Sequence, residues 1–437
     1  MGVIARYITF LGDFVVQIKR FRCALCWTFI FLFGGLAFAE EQHLILLSAR
    51  ESIRHESLTL NEHVPAVISE TWDLQLRTLH GGTQEGVQLL SVNNGELILT
   101  IVLNRGMSIL KVEDARTGED VFGWYSPVKE VVNPQFIDLE SRGGLGWLYG
   151  FNEWLVRCGL EFAGHPGRDV MRSNTGEEKE LDLTLHGRIG NIPASEVHVV
   201  FDVNNPRELK VNALIEERMF YGPQLRLDST LTINVGERLF KLDETVKNLS
   251  AGKQEYQIIY HTNFGRPLLE EGSKVVVAAK QITPMNDHAA KSLSTYDTYS
   301  KPTQGFTEQV YLVEPWADEN GLTASVLHTR DRTRGAQMIW SIGTLPYLTI
   351  WKNTAAESDG YVTGIEPGSG YPFNRRIERH FGRVPTLDSG ESRTFSISFE
   401  FLNDENSVRN ALQNVDRIRN DRETVRNTAA PKLPDFE

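Results

Sequence analysis

The run LRLDSTLTI, residues 225–233, decides the fold class of this 437-residue chain. Its leucines and isoleucine alternate with polar residues, which is the two-residue period of a strand with one buried and one solvated face. A helical period is nearly absent from this part of the chain. The run therefore predicts an antiparallel β-strand that packs one face on a core.

Similar runs, rich in Val, Ile, Leu, Thr and Phe, follow one another from about residue 95 onward. Turn-forming sequences separate them, such as NNG at 93–95, NNP at 204–206 and DSG at 388–390. The runs occupy residues 96–102, 196–203, 208–215, 225–235, 256–260, 275–279, 324–328, 348–351 and 393–402. Many short strands with little helical periodicity predict an all-β protein, a large antiparallel β-sandwich with short peripheral helices.

The predicted sandwich covers residues 76–403 as a single domain. Residues 40–75 have mixed composition and are interpreted as an N-terminal lead-in, either a strand or an irregular segment. Residues 404–437 combine a short amphipathic helix, expected within 405–422, with a loose Ala- and Pro-containing tail.

The first 39 residues have the pattern of an export signal. Lys19, Arg20 and Arg22 precede an almost wholly apolar run at 23–38, which ends in AFA at 37–39 and is followed by two glutamates. A basic region, an apolar region and an A-x-A site predict a signal peptide cleaved after Ala39 and a periplasmic or extracellular protein without a membrane span after cleavage. The alternative is an uncleaved membrane anchor, since apolar signal regions grade into short spans.

Composition and charge exclude several classes of function. Hydrophobic residues make up 41% of the chain and charged residues 23%, the make-up of a globular protein. The formal net charge is −12, and Lys and Arg are scattered, so we expect no nucleic-acid partner. Cys158 is the one cysteine that follows the predicted signal, so the core and not disulfides must stabilise the fold.

An aromatic and glycine-rich stretch interrupts the strand pattern at 143–154 (GGLGWLYGFNEW) and continues to GHPG at 164–167. Aromatic faces beside a carboxylate suit a sugar ring, which has apolar faces and polar edges. Trp147 and Glu153 are therefore candidate substrate-binding residues. A buried aromatic cluster under a long loop is the alternative.

A second stretch, LHGRIGNIP at 185–193, places His186 and Arg188 among glycines at a predicted strand end. Both side chains can donate hydrogen bonds to hydroxyl groups or to a ring oxygen. A structural histidine in a turn is the alternative.

Two further stretches carry the candidate acid and base. His261 follows an apolar strand in YHTNFGRPLL at 260–269, where burial can tune its pKa. Trp351 and Lys352 precede GIEPG at 364–368, in which Glu366 lies between a strand and a Pro-Gly turn. A buried glutamate beside aromatic residues would have a raised pKa. A core histidine and a solvated turn glutamate are the alternatives.

Other chemistries lack their sequence patterns. The chain has no Gly-rich phosphate loop, no H-E-x-x-H and no G-x-S-x-G at a strand-to-helix turn. Its histidines and carboxylates show no metal-ligand spacing. We therefore expect no cofactor and no metal.

Together these stretches, with NRGMSI at 104–109, resemble the galactose mutarotase-like superfamily, specifically a divergent aldose 1-epimerase-like family long catalogued as a domain of unknown function. The resemblance covers roughly residues 75–402 and implies a β-supersandwich. It also implies that a sugar or the end of a glycan is the small-molecule partner, and that ring opening and reclosure interconvert its anomers.

The resemblance implies a role for each matching residue. His261 would be the general acid toward the ring oxygen and Glu366 the base that accepts the anomeric proton, on opposite sides of the sugar. The implied or candidate substrate-binding residues are His186, Arg188, Arg105, Asn263, Asp287, Trp147, Glu153, Trp351 and Lys352. Asp287, in PMND at 284–287, is matched to a carboxylate that holds a hydroxyl group.

Two other functions remain open at the level of sequence, because a fold does not fix a function. One is a carbohydrate-binding protein without catalysis. The other is a glycan lyase or hydrolase, for which Lys352 and Arg188 would neutralise the carboxylate of a uronate.

Overall fold

The computed structural model describes residues 41–60, 64, 66–202 and 204–436. The predicted signal peptide at 1–39 lies outside these residues. Among the described residues, no helix is both long enough and apolar enough to cross a membrane.

Strands dominate the described chain, which confirms the predicted all-β class. In its first half they are β1 (Glu41–Ser48), β2 (Ile53–Arg54), β3 (Ser57–Thr59), β4 (Asp73–Thr78), β5 (Gln88–Asn93), β6 (Leu97–Val102), β7 (Ser108–Asp114), β8 (Asp120–Phe122), β9 (Leu155–Leu160), β10 (Gly167–Arg172), β11 (Glu178–Leu183), β12 (Glu196–Asp202) and β13 (Asn205–Arg218). In its second half they are β14 (Gln224–Asn234), β15 (Leu239–Asn248), β16 (Gln254–Glu255), β17 (Gln257–Phe264), β18 (Lys274–Val277), β19 (Ala279–Pro284), β20 (Gln309–Pro315), β21 (Leu322–His328), β22 (Gly335–Ser341), β23 (Tyr347–Asn353), β24 (Val362–Gly368), β25 (Thr386–Leu387), β26 (Ser392–Leu402) and β27 (Val425–Arg426). Each of the predicted runs overlaps one of these strands.

The helices are short and peripheral. The α-helices are α1 (Ala66–Ser69), α2 (Ser141–Gly144), α3 (Asp287–Ala290), α4 (Arg375–His380) and α5 (Glu405–Arg419). Single 3-10 turns are Gly82–Gln84, Pro134–Phe136, Gly146–Gly150, Ile189–Asn191, Leu293–Thr295 and Glu357–Asp359.

Two large sheets contain most of the strands. The ten-stranded sheet has the order β18-β21-β22-β26-β15-β14-β13-β12-β1-β2. The thirteen-stranded sheet has the order β27-β19-β20-β23-β24-β17-β9-β7-β6-β5-β4-β3, with β8 paired to β7. Pairing is antiparallel except between β19 and β27, so the sheets follow the predicted antiparallel arrangement.

The core lies between the two sheets. In β14 the buried residues alternate with half-buried ones along the whole strand, as the sequence pattern predicts. Leu227 and Val246 of the ten-stranded sheet share one apolar cluster with Leu99 and Tyr260 of the thirteen-stranded sheet. Burying one face of each sheet against the other removes this apolar surface from water.

β17 and β24 differ from β14 because every residue in them is buried. In β17, Ile258, Tyr260 and Phe264 belong to the core between the sheets. Successive side chains of a strand point to opposite faces, so His261 lies on the other face of the sheet. That face is also covered, and the loops that cover it form the walls of the candidate site.

The segments at the two ends pack on the sandwich. The predicted lead-in contributes β1, whose fully buried Leu46 joins the main core, and β3. Helix α5 begins at the predicted position and packs Val408, Ala411 and Val415 on the ten-stranded sheet. Asp404 caps it, accepting a hydrogen bond from the Ser407 backbone N–H at 2.7 Å.

Candidate active site

Strand register brings the predicted acid and base together. β17 pairs with β24 so that Ile259 faces Gly368 and Thr262 faces Ile365. This register sets His261 directly opposite Glu366, although 105 positions separate them in the chain. Cross-strand neighbours have Cβ atoms about 4.5–5.5 Å apart, so the two side chains must meet.

The two side chains are in direct contact. His261 Nε2 lies 3.3 Å from Glu366 Oε1, and both side chains are almost completely buried. The structure therefore differs from the expectation that the acid and base lie on opposite sides of a sugar ring, because cross-strand pairing leaves no room for a ring between them. They form one paired unit on one side of the cavity.

Asn263 fixes the tautomer of His261. Asn263 Nδ2 donates to the backbone oxygens of Glu153, at 3.0 Å, and His261, at 3.2 Å, so its Oδ1 is the atom that faces the imidazole. Oδ1 lies 2.7 Å from His261 Nδ1 and can only accept. His261 must then carry a proton on Nδ1, which leaves Nε2 free to accept a proton on the Glu366 side.

Gly364 leaves the space that the Glu366 carboxylate occupies. Gly364 and Glu366 lie on the same face of β24, two residues apart. A Cβ atom added at Gly364 would overlap Glu366 Oε1. The absence of a side chain at residue 364 therefore lets the carboxylate reach His261.

Burial decides where the proton of the pair resides. Burial lowers the pKa of His261 to about 4, and the hydrogen bond with Asn263 opposes this only in part. Burial raises the pKa of Glu366 well above its usual value, and the negative charge of Glu308 raises it further. These opposite shifts favour the proton of the pair on Glu366 over His261. Apart from its contact with His261 Nε2, Glu366 Oε1 has no hydrogen-bond partner among the described residues.

A cavity of about 630 Å³ opens over the pair. Its size suits a small ligand that is largely enclosed. Its walls are mostly aromatic and aliphatic, with polar groups at a few points. The aromatic residues that line it are Trp124, Trp147, Phe151 and Trp351, and its histidines and carboxylates are His165, His186, His261, Glu308, Asp359 and Glu366.

Three aromatic rings surround His261. Its ring centre lies 5.3 Å from that of Phe151, 5.6 Å from that of Trp351 and 6.0 Å from that of Trp147. Such rings exclude water from the imidazole and offer flat apolar faces to a ligand. The predicted aromatic contacts Trp147 and Trp351 therefore both line the cavity.

His186 lies beside the pair on a strained turn. Its φ of 60° is in the left-handed region, and its ring centre is 5.3 Å from that of His261. Its Nδ1 contacts the Ala163 carbonyl oxygen at 3.0 Å, so Nδ1 donates and Nε2 is free to accept. Burial lowers the pKa of His186 well below its usual value, which keeps this ring neutral. The predicted substrate-binding position of His186 is thus in the cavity lining.

Arg105 and Glu153 lie behind the cavity and not in its lining. They form a fully buried ion pair, and Arg105 also donates to Asn191 Oδ1 at 2.9 Å. The backbone oxygen of Glu153 accepts the hydrogen bonds from Asn263 and from Trp124 Nε1. The pair therefore supports the residues that orient His261, and the prediction of direct hydroxyl contacts from Arg105 and Glu153 is corrected.

Three other predicted contacts lie away from the cavity. Arg188 is exposed outside the lining, and Asp287 is an exposed residue of α3. Lys352 follows Trp351 in β23 and so points to the opposite face, where its Nζ donates to the backbone oxygens of Thr295 and Thr298, each at 2.7 Å. The substrate-binding prediction is therefore corrected for these three residues and for Asn263, which lies outside the lining and is bonded to His261 and to the Glu153 backbone.

Some residues that line the cavity are not predicted from the sequence. Trp124 is an aromatic residue in a loop, whereas Phe151 and His165 lie within the stretches 143–154 and 164–167, which the sequence pattern indicates without identifying these two residues. Glu308 gave no signal, because TEQ at 307–309 has the composition of a solvated turn. Only the pairing of β20 with β23 shows that Glu308 accepts a hydrogen bond from Trp351 Nε1 at 2.8 Å.

The comparisons with known proteins agree with this fold. A family model described as "Domain of unknown function (DUF4432)" matches residues 84–401. Comparison with curated proteins found no match.

The chain is also similar to solved structures, of which two are described. A "putative aldose 1-epimerase" from Klebsiella pneumoniae is 38% identical, with a TM-score of 0.81, over 89% of this chain and 98% of that one. A galactose mutarotase-like protein from Clostridium acetobutylicum is 16% identical, with a TM-score of 0.52, over 76% of this chain and 99% of that one, and shows the fold alone. These similarities confirm the resemblance to the mutarotase-like superfamily.

Proposed function

The chain belongs to the DUF4432 family, whose function its description leaves open, and from that premise we propose that it interconverts the anomers of a free sugar, as an aldose 1-epimerase does. The observation that carries the proposal is the contact between His261 and Glu366 at one side of an aromatic, sugar-sized cavity. The name of the similar Klebsiella protein points to the same chemistry.

A contacting acid and base suit this reaction because the two oxygens that exchange protons are bonded to the same carbon, C1. In the proposed first step, the O1 hydroxyl proton moves to His261 Nε2 and the Glu366 carboxyl proton moves to O5. The C1–O5 bond breaks, C1=O1 forms, and the open-chain aldehyde results. The pair is left as an imidazolium and a carboxylate, which are oppositely charged and stabilise each other.

Rotation about the C1–C2 bond then presents the other face of the aldehyde. Reclosure returns the O5 proton to Glu366 and the Nε2 proton to O1, so no proton is gained or lost over the cycle. In this direction His261 is the base and Glu366 the acid, the converse of the roles that the resemblance implies. Transfer of one proton from Glu366 to His261 would exchange the acid and base roles of the two residues. The pair can therefore serve both directions of a reversible reaction.

The test is anomer exchange measured by NMR saturation transfer on a panel of free sugars. We expect the wild type to accelerate exchange, and His261→Gln and Glu366→Gln each to reduce the acceleration by about 10²- to 10⁴-fold, the usual contribution of a proton-transfer group. Sugar binding without accelerated exchange would instead identify a carbohydrate-binding protein. Release of an unsaturated, ultraviolet-absorbing product from a glycan would identify a lyase.

The structure does not support the lyase alternative. A lyase needs a cation near the uronate carboxylate, and Lys352 and Arg188 were the candidates. Both lie outside the cavity lining.

We also propose that the protein works after export to the periplasm or the exterior, a proposal supported by the basic, apolar and A-x-A pattern at 19–39.

A further inference from the structure

The cavity has charged side chains of one sign. Glu308, Asp359 and Glu366 line it, and no Lys or Arg is among its lining residues in the described part of the chain. Burial favours the neutral form of Glu366, so Glu308 and Asp359 are the carboxylates that bring charge. A bound ligand therefore meets a negative potential with no cation in the lining to offset it.

Glu308 is hydrogen-bonded to an aromatic residue of the cavity lining. Its Oε2 accepts a hydrogen bond from Trp351 Nε1 at 2.8 Å, and the Trp351 ring lies 5.6 Å from that of His261. The bond fixes both the ring that faces a ligand and the carboxylate beside it. The charge of Glu308 also reaches Glu366, whose pKa it raises.

The neighbouring cations are committed elsewhere. Lys352 donates to two backbone oxygens on the opposite face of β23. Arg266 pairs with Glu357 at 2.6 Å, at the surface. Neither can approach an anionic group in the cavity without breaking these contacts.

We propose that Glu308 determines the charge class of the substrate, so that the site takes neutral and amino sugars and rejects anionic sugars such as uronates and sugar phosphates. The proposal rests on the proposed function and adds a residue and a substrate class to it. Glu308 and Asp359 are exposed to solvent, which screens part of their charge, but bringing a second carboxylate beside Glu308 is still unfavourable because like charges repel. The ammonium group of an amino sugar gains from the same field.

The experiment uses sugars of matched stereochemistry. Anomer exchange is measured for glucose, glucosamine and glucuronate, and for galactose, galactosamine and galacturonate. Binding of each sugar is measured in parallel by tryptophan fluorescence, since Trp147 and Trp351 line the cavity. We expect each uronate to be exchanged and bound on the order of tenfold less well than its neutral partner.

Glu308→Gln separates charge from hydrogen bonding, because the amide oxygen can still accept from Trp351 Nε1. We expect it to raise the uronate-to-neutral ratio on the order of tenfold. Glu308→Ala, which also removes the hydrogen bond to Trp351, should in addition weaken binding of neutral sugars. The control is Glu319→Gln, which removes the same charge from an exposed turn outside the cavity lining and should leave the ratio unchanged.

The possible failures can be told apart. Uronates exchanged as well as their neutral partners, or a ratio that Glu308→Gln does not change, would overturn the charge selection and leave anomer exchange standing. No accelerated exchange for any neutral or amino sugar would overturn the proposed function. The ratio of uronate binding to neutral-sugar binding would then be the only test of charge selection. No binding of any sugar would overturn both.

Discussion

His261 and Glu366 together determine how the proposed exchange depends on pH. Catalysis needs His261 neutral at Nε2 and Glu366 protonated, the form that holds one proton between them. Below the His261 pKa of about 4 the pair gains a second proton, and above the raised pKa of Glu366 it loses its only one. Exchange should therefore fall at both extremes.

We predict a bell-shaped profile of kcat/KM whose acidic limb lies near pH 4 and whose alkaline limb lies well above the usual range of a glutamate. The measurement is NMR exchange against pH with the uncatalysed rate subtracted. An acidic limb near pH 6.5, the value of a solvated histidine, would contradict the burial of His261 as the controlling factor.

Gly364 provides a second test at the scale of one residue. Gly364→Ala places a methyl group where Glu366 Oε1 lies, so the carboxylate must leave His261. We predict a loss of exchange close to that of Glu366→Gln, with a stability cost of about 1–3 kcal/mol from overpacking. Gly252→Ala is the matched control, because nothing lies within 4 Å of its added Cβ. Denaturant unfolding measures stability, and a fully active Gly364→Ala protein would contradict this role.

The loop before β9 and the turn between β6 and β7 are joined by the buried Arg105–Glu153 pair. Arg105→Met leaves the Glu153 charge buried without its partner, which typically costs about 3–5 kcal/mol. We predict that this substitution destabilises the fold and also reduces exchange, because the Glu153 backbone orients Asn263.

A double-mutant cycle checks the pairing. Glu153→Gln should be destabilising alone, and the Arg105→Met/Glu153→Gln protein should lose less stability than the sum of the single changes. As a control, Arg168→Met breaks an exposed pair with Glu180 and should change the free energy of unfolding by less than about 1 kcal/mol. Additive single changes would show that the buried pair is not coupled.

The same elements show how far the sequence could predict the site. Alternation identified the strands, and the breaks in it located His186, His261, Trp351 and Glu366. Alternation also implies that Trp351 and Lys352 point to opposite faces, but only the register shows which one faces the cavity. The contact of His261 with Glu366, as opposed to a separation by a sugar ring, depends on the pairing of β17 with β24. Local sequence does not contain that pairing.

At the scale of the whole molecule, the site depends on two sheets held face to face. Arg157 of β9 and Glu244 of β15 form a buried ion pair across the core at 2.7 Å. Arg157 also donates to the backbone oxygens of Gly106 and Met107, next to Arg105. The ten-stranded sheet, which contributes no residue to the cavity lining in the described chain, thus supports β9 and through it His261.

The N-terminal edge of that sheet connects the fold to the proposed export. Within the described residues, β1 pairs with β12 from Glu41 opposite Asp202 to Ser48 opposite Glu196. Cleavage after Ala39 removes none of these paired residues, whereas cleavage after Ser48 would expose the edge of β12 and remove the buried Leu46 from the core.

We therefore predict that the chain, expressed whole in a bacterium with a secretion pathway, yields a mature protein that begins at Glu40 and is recovered outside the cytoplasm. Intact mass and N-terminal sequencing of the fractions measure this. Ala39→Phe is the matched variant, because signal cleavage requires a small residue there, and it should accumulate the longer precursor. A wild-type chain that keeps its first 39 residues in the membrane fraction would establish the anchor instead. A mature start beyond Ser48 would show that the core tolerates the loss of β1, contrary to the burial of Leu46.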